Sequence, residues 1–159
     1  MLITASAVLL NISYIKQIKN RTEALRQVYL MIDFIEISIK YQSLDLKDIF
    51  KHIYSSEKFK LLVFLKDFKK SNFSEDFSQY SFRSVKTANM FSPYSCELLS
   101  GFFSMLGKSD VDGQLLNCET YKKFFKAEQE SAKLAEERKI KTGTALLLGT
   151  AFLLLTIIL

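Results

Sequence analysis

Pro93 is the single proline of the chain, and neither proline nor glycine interrupts the stretch between Gly113 and Gly143. These two residue types stop helices and turn hairpins, and a sandwich or barrel needs such turns roughly every 8 to 12 residues. A chain of 159 residues with five glycines and one proline is therefore expected to be all-α. Its 48% hydrophobic and 13% aromatic content is enough for a packed core and too high for a disordered chain. The length allows one compact domain at most, since domains run to about 100 to 200 residues.

Both ends are apolar. From Thr142 to Leu159 the segment TGTALLLGTAFLLLTIIL carries no charge and ten Leu, Ile or Phe residues. As a helix it would extend about 27 Å, the thickness of a bilayer core. Ala145 and Gly149, four apart, offer small residues where another membrane helix could approach closely. Residues 1–15 are shorter and interrupted by Thr4, Ser6, Asn11 and Ser13, and are expected to span with thinning or to lie in the interface. No basic residue precedes this first stretch, which argues against a cleavable signal peptide. Lys16, Lys19, Arg21 and Arg26 follow the first segment, and Arg138, Lys139 and Lys141 precede the last. The positive-inside rule then puts residues 16–141 in the cytoplasm as one domain between two membrane segments, 1–15 and 142–159. The net charge of +5 also admits nucleic acid as a partner, with Lys122, Lys123 and Lys126 as the side chains to neutralise in a test.

In the middle, Leu25, Val28, Ile32, Ile35 and Ile39 recur at three- and four-residue steps, the seam of a long packed helix. Tyr29, Met31, Phe34 and Ile37 lie beside it, so this helix should be the central one. Asp45 is placed to cap a stretch bearing Leu46, Ile49, Phe50, Ile53 and Tyr54, and Ser56 another with Leu61, Leu62, Leu65 and Phe68. Residues 71–90 are rich in Ser and Phe and fit helix from Glu75 onward. Ser92 and Pro93 open a helix whose buried face is Leu99, Phe102, Phe103 and Leu106, and Gly107 ends it. Ser109 with Asp112 starts the last helix, which is expected to run from about residue 110 without a break into the final apolar segment.

Little in this chain could do chemistry. Gly101 to Ser109 looks like a phosphate loop, but five residues separate Gly101 from Gly107 where such a loop needs four, and no strand precedes it. His52 is the only histidine, so the chain can build neither a paired-histidine relay nor a histidine-rich metal site. Cys96 and Cys118 share no metal-type spacing and read as reduced, buried thiols. Asp110 and Asp112 lie where carboxylates favour a helix start without catalytic duty. Neither a catalytic residue nor a metal or cofactor is expected, and the chain should act by binding proteins rather than nucleic acid or a small-molecule substrate.

Leu25-Arg26-Gln27, then Ile35-Glu36 leading to Ile39, Tyr41 and Leu46, and later Leu106-Gly107-Lys108-Ser109-Asp110 with Gln114, resemble the stage III sporulation protein AB family. The resemblance covers most of the chain. It departs where Asp45 stands in place of a proline, in a first apolar segment poorer in glycine, and over residues 55–92. What it implies is a helical domain like the cytoplasmic domains of the platform proteins of type II secretion and type IV pilus machines. It further implies a place in the mother-cell membrane facing the forespore, within a channel-like complex. The partners it implies are that complex's cytoplasmic ring ATPase, stage III sporulation protein AA, and other membrane subunits. Arg26, Glu36, Tyr41, Gly107, Asp110 and Gln114 are the structural or partner-contact candidates. An unrelated membrane-tethered module for nucleic acid or anionic lipid is the alternative.

Overall fold

The seam read from Leu25 onward does form one long helix. The computed structural model describes residues 2–42, 44–66 and 90–158, with side chains described from 12 to 42, 44 to 66, 90 to 145 and at 149. Helix α1 spans Leu2–Ile37 and ends in a π turn, Ser38–Gln42. It runs through residues 15 and 16 without a break. Ala24, Leu25, Val28, Met31, Ile32 and Ile35 are fully buried, while Ile37 is exposed. Burial spreads over more than one stripe because α1 packs against both the last helix and the 57–59 turn.

Helix α2, Leu46–Ser55, buries Ile49, Phe50 and Ile53. Asp45 occupies its N-cap position, but the side chain makes no capping bond. Ser56 does cap, accepting from the Lys58 backbone N–H at 3.3 Å, yet it opens only a single 3₁₀ turn, Glu57–Phe59. The expected helix does not follow at once: residues 60–63 form turns, where Gln27 Oε1 on α1 accepts from the Leu61 N–H at 3.0 Å, and helix resumes at 64–66. Phe68 and residues 71–89 lie outside the described residues.

Helix α3, Pro93–Met105, begins as its sequence requires: Ser92 Oγ accepts from the Ser95 N–H at 3.0 Å and Pro93 opens the first turn. Leu99, Phe102, Phe103 and Leu106 are buried, as their spacing predicts. Phe103 lies at the centre of the aromatic core, 5.2 Å from Phe102, 5.9 Å from Phe64 and 6.0 Å from Phe50 between ring centroids. Gly107 stops the chain with φ +79°, a left-handed conformation.

Helix α4, Val111–Ile158, is 48 residues of unbroken helix. Its cap is Asp110, whose Oδ1 accepts from the Gly113 N–H at 3.0 Å, one residue after the Ser109 expected from sequence. The shift has a geometric reason, since only Asp110 stands directly before the first helical residue and can reach the free N–H groups there. α4 runs antiparallel to α1: Asp33 meets Lys122 near the start of α4, and Tyr14 meets Lys139 far along it. All described elements are helical. Among the described residues, no helix is long and apolar enough to cross a membrane. The side chains of 2–11, 146–148 and 150–158, which make up most of the two apolar segments, lie outside that description.

A Cβ at Gly107 would sit 2.9 Å from Leu46 Cδ1 and would also be strained by the positive φ. Gly107→Ala is expected to cost about 1–2 kcal/mol or more of stability, and Gly107→Asn less, because asparagine tolerates this backbone region better. Urea midpoints of the two variants, measured side by side, check the order.

Candidate functional site

The α1–α4 pair has two ends of different character, joined by a charged clamp. In the clamp, Lys122 of α4 donates to Asp33 Oδ1 at 2.8 Å and also pairs with Glu36 Oε2. Asp33 and Glu36 stand three apart on α1, so both carboxylates face the same stretch of α4. Burial works against the Lys122 charge, but hydrogen bonds to Asp33 and Glu36 outweigh it and raise its pKa above the ordinary 10.5. One helical turn before Lys122 lies Cys118, fully buried. Burial, with a contribution from the Glu36 charge, pushes its thiol up from 9.0 to about 12. Such a thiol is a core residue and a poor nucleophile.

The end at the α3–α4 junction gathers half of the residues picked from sequence. Gly107 turns the chain against Leu46, Asp110 caps α4, and Gln114 donates from Nε2 to the Ser109 carbonyl at 3.1 Å. The π turn bearing Tyr41 also packs against α4. Tyr41 itself is 71% exposed, with Lys40 Nζ 5.2 Å from its ring centroid, and Met105 and Val111 are also exposed at the junction. Gly107, Asp110 and Gln114 thus shape this end, and Tyr41 stands free on it.

The remaining candidates lie elsewhere. Glu36 faces inward and is spent on Lys122, so it is a structural residue. Arg26 is exposed midway along α1, held by two 2.7 Å bonds to Glu23. Ala145 and Gly149 are exposed late in α4, with nothing within 4 Å of the Gly149 Cβ position. Gly101 sits within α3 where a Cβ would collide with the Tyr121 hydroxyl; it lets α3 and α4 approach and wraps no phosphate. Lys122 and Lys123 belong to the basic trio that a nucleic-acid surface would need. Both are ion-paired, Lys123 to Glu119 at 2.7 Å, so the trio is not a free basic patch. Among the described residues, no group of His, Cys, Asp and Glu is arranged to hold a metal ion.

Three contacts that position these elements carry no signal in the sequence. They are the Lys122 clamp, the Gln27 bond to Leu61, and Glu128 of α4, which accepts from the Ser95 hydroxyl at 2.6 Å. Each joins residues at least 33 positions apart, and nothing in the local pattern pairs them.

Lys122→Ala leaves two carboxylates facing each other without a cation and is expected to cost about 2 kcal/mol. Adding Asp33→Asn and Glu36→Gln should recover part of the loss. Because the folded pKa of Lys122 is raised, the clamp's stabilisation is complete below 10.5 and fades only as pH climbs through the raised value. Chemical denaturation of wild type and variants at neutral and alkaline pH reads both effects. Cys118 should resist a thiol reagent at pH 8 in the folded chain and react at once after unfolding, as a colorimetric thiol assay would record.

Comparison with known proteins agrees with the sequence resemblance. No curated protein and no solved structure matches the chain. The family model described as stage III sporulation protein AB matches residues 1–159, including the 55–92 stretch where the short motifs depart from the family. A match over the whole length sets aside the reading of an unrelated module, and the chain belongs to the stage III sporulation protein AB family, which makes it a sporulation-related protein.

Proposed function

We propose that the chain is a non-catalytic scaffold of a secretion-like sporulation complex, held in the membrane by residues 1–15 and 142–159. Its helical domain docks the cytoplasmic ring ATPase of that complex, stage III sporulation protein AA, and its apolar ends meet other membrane subunits. The membrane is the mother-cell membrane facing the forespore. Family membership supports the setting. The observation that carries the mechanism is the antiparallel run of α1 and α4, with Tyr14 against Lys139 at one end and the Gly107 turn at the other. This arrangement directs both uncharged terminal segments to one side and leaves the junction, with exposed Tyr41, Met105 and Val111, as the opposite pole. Exposed aromatic and methionine side chains are the kind that anchor protein interfaces.

Detergent-solubilised full-length protein is expected to co-purify with the ATPase. A Tyr41→Ala, Val111→Asp variant should retain its helicity and lose most of the bound ATPase. Failure of the wild-type chain to capture the ATPase would remove the main support for this reading.

A further inference from the structure

The end of the α1–α4 pair next to the two apolar segments carries a second feature. Lys16, Lys19 and Arg21 on α1 and Arg138, Lys139 and Lys141 on α4 are all exposed. Antiparallel packing brings the two triplets to one level, because Tyr14 meets Lys139, whose Nζ lies 5.8 Å from the ring centroid. Arg21 and Lys139 line one groove between the helices, whose wall also carries Glu128 and Glu136, so the cations stand at its edge nearest the apolar segments. The chain has no Asp or Glu before Glu23 or after Glu137, so acids enter only on the side away from the apolar segments. Three cations farther along these helices are neutralised, Arg26 by Glu23, Lys122 by Asp33 and Glu36, and Lys123 by Glu119, while Lys126 and Lys133 are exposed singly on α4. The six collar cations make no ion pair among the described residues.

We propose that this collar binds the phosphate headgroups of anionic phospholipids, phosphatidylglycerol-like lipids above all, and so selects the lipids that surround the anchored pair. The inference rests on the membrane-anchored reading. Clustered, unpaired Lys and Arg beside an apolar segment attract anionic headgroups, at about fivefold in affinity for each residue near the surface. Lysine and arginine stems can lie along apolar surface while their charges reach the headgroup level. Tyr14, half exposed beneath Lys139, has the amphipathic ring that favours the same depth.

The test starts from cell membranes holding the full-length chain, washed with alkaline carbonate. The pellet fraction is then solubilised, and the lipids retained through purification are compared after exchange into an equal mixture of phosphatidylglycerol and phosphatidylcholine. The expected result is at least tenfold preferential retention of phosphatidylglycerol. Replacing either triplet by glutamine should lower the preference several-fold, with helicity unchanged by circular dichroism. A control with Lys40, Lys47 and Lys51 replaced should keep it. Two triplet variants are used so that the misfolding of one leaves the other to decide. Release of the chain by carbonate would overturn the anchored reading. A carbonate-resistant chain with no lipid preference, or with one that both triplets leave untouched, would overturn the collar alone. So would retention of duplex DNA in place of lipid.

Discussion

Removal of one broad apolar surface of α1 from water is the constraint on which the other elements depend. From Ala24 to Ile35 six side chains of that helix are buried completely, and no short helix could cover them alone. α4 covers one side, and the turn at Glu57–Phe59 takes another. Apart from Ala24, each of these side chains contributes about 1.5–3 kcal/mol on burial, a large term for a small domain. α2 and α3 complete the enclosure by adding Phe50 and Phe103 to the same core.

Apolar burial has no direction, and the register of the helices comes from a few polar contacts. Lys122 between Asp33 and Glu36 fixes how far α4 slides along α1. Glu128 accepts from Ser95 and Ser92 at the start of α3, which places the free N–H groups of that helix beside a carboxylate on α4. Gln27 performs the same task for the chain after α2, satisfying a backbone N–H that would otherwise face the core edge. The clamp, the cap and the glutamine lie on different faces of the bundle, and together they leave the long pair little freedom to slip.

Local signals in the sequence are legible where one residue's own backbone decides the outcome. Ser92 and Pro93 open a helix, Gly107 closes one, and the absence of breakers after Gly113 produces the long final helix. Leu99, Phe102, Phe103 and Leu106 of α3 are buried as their spacing predicts, and Ser95 and Leu98 join them. Errors arise where a distant group intervenes. Ser56 reads as the start of a full helix, but only a 3₁₀ turn follows it and helix resumes at 64–66, after turns in which the Leu61 N–H bonds to Gln27. Glu36 reads as a structural or partner-contact candidate, and only the pairing with Lys122, far along the chain, shows the structural contact it makes. Lys122 reads as surface charge for the same reason. The resemblance points to the correct family, and one of its short motifs, Leu106 to Asp110 with Gln114, lies at the α3–α4 junction while the others start on α1.

Helix α4 also has a mechanical meaning. Forty-eight residues at about 1.5 Å each make a rod about 72 Å long, and no glycine or proline softens it between Gly113 and Gly143. A rod of that kind transmits torque. Tilting or rotating its final turns swings the opposite tip through an arc, and the tip is joined to α3 at Gly107, a left-handed joint pressed on Leu46. Because α4 is held at Lys122, Glu128 and Lys139, any such motion would involve the whole packed pair rather than this helix alone.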